Sequence, residues 1–148
     1  MLLTGTYART LDDKYRIALP KPLKDAFIGT GSAKLYLAPG TDGSLTLYTE
    51  ESFGKLASQL SDRSPTQQDV RDFSRLLYAQ TQQVDLDRQG RMRVPAEMAK
   101  LAGLEKEAVL LGVKDHVEIW DRSRWTIYLA EKSARYDQIA EAAFRSVE

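Results

Sequence analysis

Residues 11–20 read LDDKYRIALP, and residues 86–95 read LDRQGRMRVP. Asp12 and Asp87, Arg16 and Arg91, and Pro20 and Pro95 correspond at one offset of 75 residues (87 − 12, 91 − 16, 95 − 20). The likeness resumes with a small drift: SLTLYTEESFGKL around Tyr48 and Phe53 resembles HVEIWDRSRWTIY around Trp120 and Trp125. Each copy therefore takes up about half of a 148-residue chain. Stacked repeat arrays need about three or more units to be stable. Two copies imply a different solution, in which two incomplete halves close one core between them.

Both halves follow one plan. TYARTL (6–11) and QQVDL (82–86) read as strands entering a polar turn. Beyond the turn, Ile17 and Leu19 alternate with Arg16 and Ala18, and Met92 and Val94 alternate with Arg91 and Arg93. A period of two puts the aliphatic side chains on one face and the arginines on the other. Pro20 and Pro95 end these strands and suit the opening of short helices, PLKDAFIG and AEMAKLAG, with Gly29 and Gly103 as C-terminal stops. KLYLA and SLTLYT around PGTDG, then AVLLGV and HVEIW around KD, read as hairpins.

Helices complete each half. EESFGKLASQL sets Phe53, Leu56 and Leu60 on one face, and TQQDVRDFSRLLYAQT sets Val70, Phe73, Leu76 and Leu77 at helical spacing. From Arg122 onward, Trp125, Tyr128, Leu129, Tyr136, Ile139, Ala143 and Phe144 repeat in the same way, a stripe for packing on the sheet with its remainder open to a subunit contact. The expected organisation is a first repeat at 5–51, inter-repeat helices and linker at 52–80, a second repeat at 81–124 and a C-terminal helix at 125–148, with SDRSP (61–65) as linker.

An Asp entering a turn can accept backbone N–H bonds or meet the Arg that leaves it. The doubled Asp-x-x-x-Arg spacing thus casts Asp12, Asp87 and Gly90 as turn-fixing residues, and a purely structural role for both turns stays open. The surrounding charge points further. Lys14, Arg16, Lys21 and Lys24 gather at the first copy, and Arg88, Arg91 and Arg93 at the second. Guanidinium groups on a stiff two-stranded ribbon can meet guanine acceptors in the major groove or clamp phosphate.

Composition narrows the alternatives. There is no cysteine, which excludes disulfides and thiolate metal sites and suits a reducing compartment. No apolar run approaches the roughly 20 residues of a spanning helix, and the N-terminus lacks the pattern of a signal peptide, so a cytoplasmic chain without a membrane partner is expected. His116 is the lone histidine, too few for a triad or a metal cluster, and GTGS (29–32) lacks the lysine of a phosphate loop. Neither catalysis, nor a cofactor, nor a small-molecule substrate is expected. The 21 basic residues equal the 21 acidic ones, so the whole chain offers polyanions little net field. Binding of nucleic acid would then rest on local clusters multiplied by self-association.

MLLTGTYARTLDDKYRIALPKPL and VDLDRQGRMRVPAEMAKLAGLEKEAVLLGVKDHVEIWDRSRW resemble the two halves of MraZ proteins, bacterial transcriptional regulators encoded with division and cell-wall genes. The resemblance runs from Gly5 to about Trp125. It implies an α+β, AbrB-like swapped-hairpin fold in which two tandem repeats of one chain form a pseudo-dimeric barrel with packed helices. It also implies assembly into a homo-oligomeric ring in the nucleoid and binding of double-stranded DNA at short direct repeats upstream of the protein's own operon, usually as a repressor. The Asp-x-x-x-Arg loops make the DNA contact in that family, so Arg16 and Arg91 inherit the role, with Lys14 and Arg88 beside them. A ring would make later contacts intramolecular and raise avidity by roughly 10²–10⁴. The alternative is a non-catalytic interaction module or scaffold of the same fold, as in an antitoxin.

One position departs from the pattern. The family has Gly before the motif Arg, as at Gly90, but this chain has Tyr15 in the first copy. Gly tolerates a positive φ that strains Tyr, so a different first turn is expected, or else an added stacking or phosphate contact by Tyr15. Arg9, which stands where the second copy has Val84, is expected to snorkel or to mark a partly exposed strand face.

Overall fold

The computed structural model describes residues 1–29 and 34–145. Residues 30–32 of the GTGS segment and residues 146–148 of the C-terminal segment therefore lie outside the described residues. In chain order the elements are β1 (Thr6–Thr10), β2 (Arg16–Ala18), α1 (Lys21–Gly29), β3 (Leu35–Pro39), β4 (Leu45–Thr49), α2 (Glu50–Ser61), α3 (Gln68–Gln80), β5 (Gln82–Val84), β6 (Arg91–Arg93), α4 (Ala96–Leu101), β7 (Glu107–Val113), β8 (His116–Asp121), α5 (Arg122–Ser133) and α6 (Tyr136–Ala143). The fold is α+β and antiparallel throughout its paired strands.

The strands form a six-stranded sheet, β1-β7-β8-β4-β3-β5, and a two-stranded ribbon, β2-β6. The two halves exchange strands in both. β1 of the first half lies beside β7 of the second, β5 of the second lies beside β3 of the first, and β4 and β8 join at the centre. Thr46 faces Glu118, and Ile17 faces Met92, at the middle of these two cross-half pairings. An approximate two-fold axis thus relates the repeats, as the duplicated sequence requires.

Period-two patterning explains the layers. Leu35, Leu37, Leu45, Leu47, Leu110, Val117 and Ile119 point from the sheet into one core, where they meet Ile17, Leu19, Met92 and Val94 of the ribbon segments. Leu23 and Phe27 of α1 and Met98 and Ala99 of α4 pack into the same core. The other sheet face carries Tyr36 and Tyr48 against Phe53 of α2, and Trp120 against Trp125 and Tyr128 of α5. The α2 helix starts at a capping box: the Ser52 N–H donates to Thr49 Oγ1 at 3.1 Å and the Thr49 N–H donates to Ser52 Oγ at 3.0 Å. Asp121 occupies the matching place before α5 and accepts from the Arg124 N–H.

Three expectations change in detail. The strands after the turns take their ladder partners across the repeats, β2 with β6, while pairing within a motif shrinks to short links such as the Leu86–Met92 bridge. The C-terminal segment is two helices, α5 and α6, rather than one. Of the α3 stripe only Leu77 is buried, while Phe73 and Leu76 stay 45% and 62% exposed. In the C-terminal stripe Trp125 and Tyr128 pack on the sheet, and Leu129, Tyr136, Ile139 and Phe144 are exposed. Among the described residues no helix is long and apolar enough to cross a membrane.

Candidate nucleic-acid interface

Each Asp-x-x-x-Arg motif closes a five-residue turn around one carboxylate. Asp12 Oδ1 accepts the backbone N–H groups of Lys14 (2.9 Å) and Arg16 (2.8 Å), and its Oδ2 accepts Arg16 Nε at 2.7 Å. Asp87 repeats this: Oδ1 takes the N–H groups of Gln89 (2.9 Å) and Arg91 (2.9 Å), and Oδ2 takes Arg91 Nε at 3.0 Å. Two backbone bonds complete each turn. Asp12 N donates to Arg16 O and Tyr15 N to Asp12 O, as Asp87 N does to Arg91 O and Gly90 N to Asp87 O.

The carboxylates are ionised for a visible reason. The backbone N–H of Arg16 contributes most to holding Asp12 at about 2; partial desolvation opposes it, and the Arg16 guanidinium and the Lys14 N–H assist. The Arg91 backbone N–H likewise holds Asp87 below the usual carboxylate range. The clamp on each guanidinium is made through Nε. Arg91 Nη1 reaches only to 4.0 Å from Asp12 Oδ2 across the ribbon. Each Arg is thereby oriented by its Asp without being used up, the arrangement in which a planar, five-donor group is most selective.

The ribbon register gathers the cations. Arg16 faces Arg93, and Ala18 faces Arg91, while the alternate pair Ile17 and Met92 is 1% exposed at each residue. Arg16, Arg91 and Arg93 therefore share the outward face. Lys14 and Arg88 are exposed on the two turns. Lys24 comes from α1 of the first half to cover the second turn: a Cβ built on Gly90 would lie 3.0 Å from Lys24 Cδ and 3.3 Å from its Nζ. Lys21 sits apart from this set, its ammonium 2.6 Å from Asp25 Oδ2 one helical turn on. The Lys21-x-x-x-Asp25 spacing was readable as an i,i+4 pair. The Lys24–Gly90 approach was not, because it joins the two halves.

The first turn corrects an expectation. Tyr15 takes φ 59° and Gly90 φ 75°, with the same hydrogen bonds around each, so both turns are of one type. The cause is an interlock between halves: Leu19 N donates to Gly90 O at 3.0 Å, and Val94 N donates to Tyr15 O at 2.8 Å. Both carbonyls thus serve the other half from residues of positive φ. Arg9 is half-buried and its Nη1 donates to the Ala8 carbonyl at 2.7 Å, the capped head of a snorkelling stem.

The lone histidine belongs to a different cluster, on the outer sheet face. His116 Nδ1 lies 3.0 Å from Asp115 Oδ1 and its Nε2 lies 3.5 Å from Glu118 Oε2, while Trp120 Nε1 donates to Glu118 Oε1 at 3.0 Å. Glu118 and, secondarily, Asp115 raise the His116 pKa against the opposing effect of burial. No group of three or more metal-ligating side chains occurs among the described residues.

Comparison with known proteins agrees with this duplication. The family described as "MraZ protein, putative antitoxin-like" matches twice, over residues 2–76 and 77–147. A transcriptional regulator MraZ of Mesoplasma florum is 35% identical over 147 residues, covering 99% of both chains. One from Thermomicrobium roseum is 37% identical over 140 residues, 95% of this chain and 96% of the relative. One from Saccharopolyspora erythraea is 34% identical over 146 residues, 99% of each. With two family units in tandem and relatives matched nearly end to end, each of them named a transcriptional regulator, the chain belongs to the MraZ family.

Proposed function

We propose that this chain is a sequence-specific DNA-binding transcription regulator, a repressor of its own division and cell-wall operon that acts on short direct repeats as a homo-oligomeric ring. The observation that carries the reading is the β2–β6 ribbon, whose outward face holds Arg16, Arg91 and Arg93, two of them aimed by carboxylates. A two-stranded ribbon of this kind fits the major groove, where Arg can address guanine O6 and N7. Lys14, Arg88 and Lys24 flank it as phosphate contacts, and Lys21 serves at the margin.

The exchange of β1 and β5 between halves supports an AbrB-like swapped-hairpin arrangement, with the pseudo-two-fold axis passing through the ribbon. Self-association is supported by apolar surface left open on the helices: Phe73, Leu76 and Leu101 on one side, and Ile127, Tyr136, Ile139 and Phe144 on α5 and α6 and just beyond. A zero net charge does not oppose assembly. A ring sets many ribbons on one scaffold, and so supplies the affinity that one chain's few cations lack.

The test is a gel-shift titration of DNA from upstream of the protein's own gene at two salt concentrations. A steep loss of affinity with salt is expected; Arg91→Ala or Arg16→Ala should cost about 1–3 kcal/mol and relax specificity at the base each reads, while Lys14→Ala should lower the salt slope by about 1. Absence of any salt-sensitive shift would favour a scaffold instead. A monomeric variant with undiminished affinity for tandem sites would remove the ring from the mechanism.

A further inference from the structure

We propose that Tyr15 is a specificity-determining residue whose ring contacts base edges beside Arg16, so that the two loops of one chain read different sequences. The inference rests on the DNA-binding reading above and adds to it an asymmetry at the residue before the motif Arg, in loops that also differ at Asp13/Arg88 and Lys14/Gln89.

The backbone supplies the first reason. Interlock with Val94 fixes residue 15 at φ 59°, a region that suits glycine and that L side chains rarely adopt. The second loop has glycine at the same place. Strained conformations of this sort persist where the surrounding structure over-determines them, and they cluster at functional sites. Tyr15 is 42% exposed, and its side chain forms no hydrogen bond or ring contact with another described residue. No hydrogen bond or aromatic partner among the described residues therefore accounts for a tyrosine there.

Its surroundings supply the second reason. The space beside Gly90 is filled by the Lys24 stem, which comes within 3.0 Å of where a Cβ would stand. At the same offset of 75 residues, the position equivalent to Lys24 is Ala99, which is 1% exposed. The substitutions are thus matched across the axis: Gly with Lys at the second loop, Tyr with Ala at the first. One loop gains an ammonium, and the other gains an aromatic ring placed between Lys14 and Arg16 on the ribbon side of the molecule.

The chemistry follows. A neutral ring releases no counterion, so its contribution does not appear in the salt slope. Its face can pack on a thymine methyl and its hydroxyl can reach a base acceptor, and both contacts discriminate between bases. The first loop then reads with Tyr15 and Arg16, and the second with Arg91 and Arg93 under a more basic rim.

The experiment compares the full chain with Tyr15→Gly and Tyr15→Phe on a direct-repeat operator in which each base is varied in turn. Tyr15→Gly should keep its melting temperature, because glycine suits the turn, and should keep the salt slope. It should lose about fivefold or more of the base discrimination in one half of the recognition unit and none in the other. Tyr15→Phe should retain most of that discrimination. Unchanged base preferences in Tyr15→Gly would overturn the proposal. So would a uniform loss on all sequences shared by both variants, which marks a phosphate contact through the hydroxyl. If the parent chain shows no salt-dependent shift and Arg91→Ala changes nothing, it is the DNA reading itself that fails.

Discussion

Replacing Asp87 by Asn separates the two jobs of the motif carboxylate. Asn keeps a carbonyl oxygen, so the N–H groups of Gln89 and Arg91, now 2.9 Å from Oδ1, still have their acceptor and the turn survives. The amide nitrogen replacing Oδ2 cannot accept from Arg91 Nε, now at 3.0 Å, and the guanidinium loses its clamp. Two effects then oppose each other. Releasing Arg91 means that its rotamers must be frozen on binding, which costs about two- to tenfold in affinity for the specific site. Removing a negative charge raises attraction to any phosphate backbone, specific or not. The ratio of specific to non-specific affinity should therefore fall by about two- to tenfold, while non-specific affinity holds or rises. Paired titrations of operator and scrambled DNA at one salt concentration read this ratio, and a melting curve confirms that the turn is intact. An unchanged or improved ratio in a folded variant would refute the claim that Asp87 positions Arg91.

Two further outcomes test the scaffold. Gly112→Ala should destabilise by about 2–4 kcal/mol in urea unfolding, because the new Cβ would stand 2.5–2.8 Å from the Thr4 backbone, displacing Leu3, which is 3% exposed, from its place beside Lys114; DNA binding by the folded fraction should be unchanged. The His116 cluster should contribute stability that is complete below His116's ordinary pKa of 6.5 and is lost as pH climbs through the raised folded-state value. His116→Gln should abolish that decline in urea melts taken between about pH 5 and 9.

The sequence exposed the parts of this fold that depend on neighbours along the chain. Alternation placed Ile17 and Met92 inside and their flanking arginines outside, and the structure agrees. The Asp-to-Arg spacing foretold a carboxylate-closed turn, which occurs twice. Features that depend on the other half were hidden. A three-residue strand such as β2 carries no mark of its partner, here about 75 residues away in β6 (92 − 17). The left-handed Tyr15 was hidden for the same reason, since its conformation answers to Val94 and not to its own side chain. The apolar stripes of α3 and α6 announced burial by periodicity alone, and periodicity does not distinguish a core from a surface offered to another molecule.

Covalent duplication explains how the halves could come to differ. In a homodimer built from one repeat, any substitution enters both loops, and a bulky residue at the interlocked left-handed position would strain both turns at once. Joined in one chain, the copies answer separately: Lys24 can close over Gly90 while Ala99 stands at the matching place in the half that bears Tyr15. The carboxylate clamps are common to both, Asp12 on Arg16 and Asp87 on Arg91. Among the residues that vary is the one just before that arginine, where the other half holds the backbone left-handed whichever side chain stands there. The axis that builds the core keeps the two loops alike in shape while leaving their chemistry free to diverge.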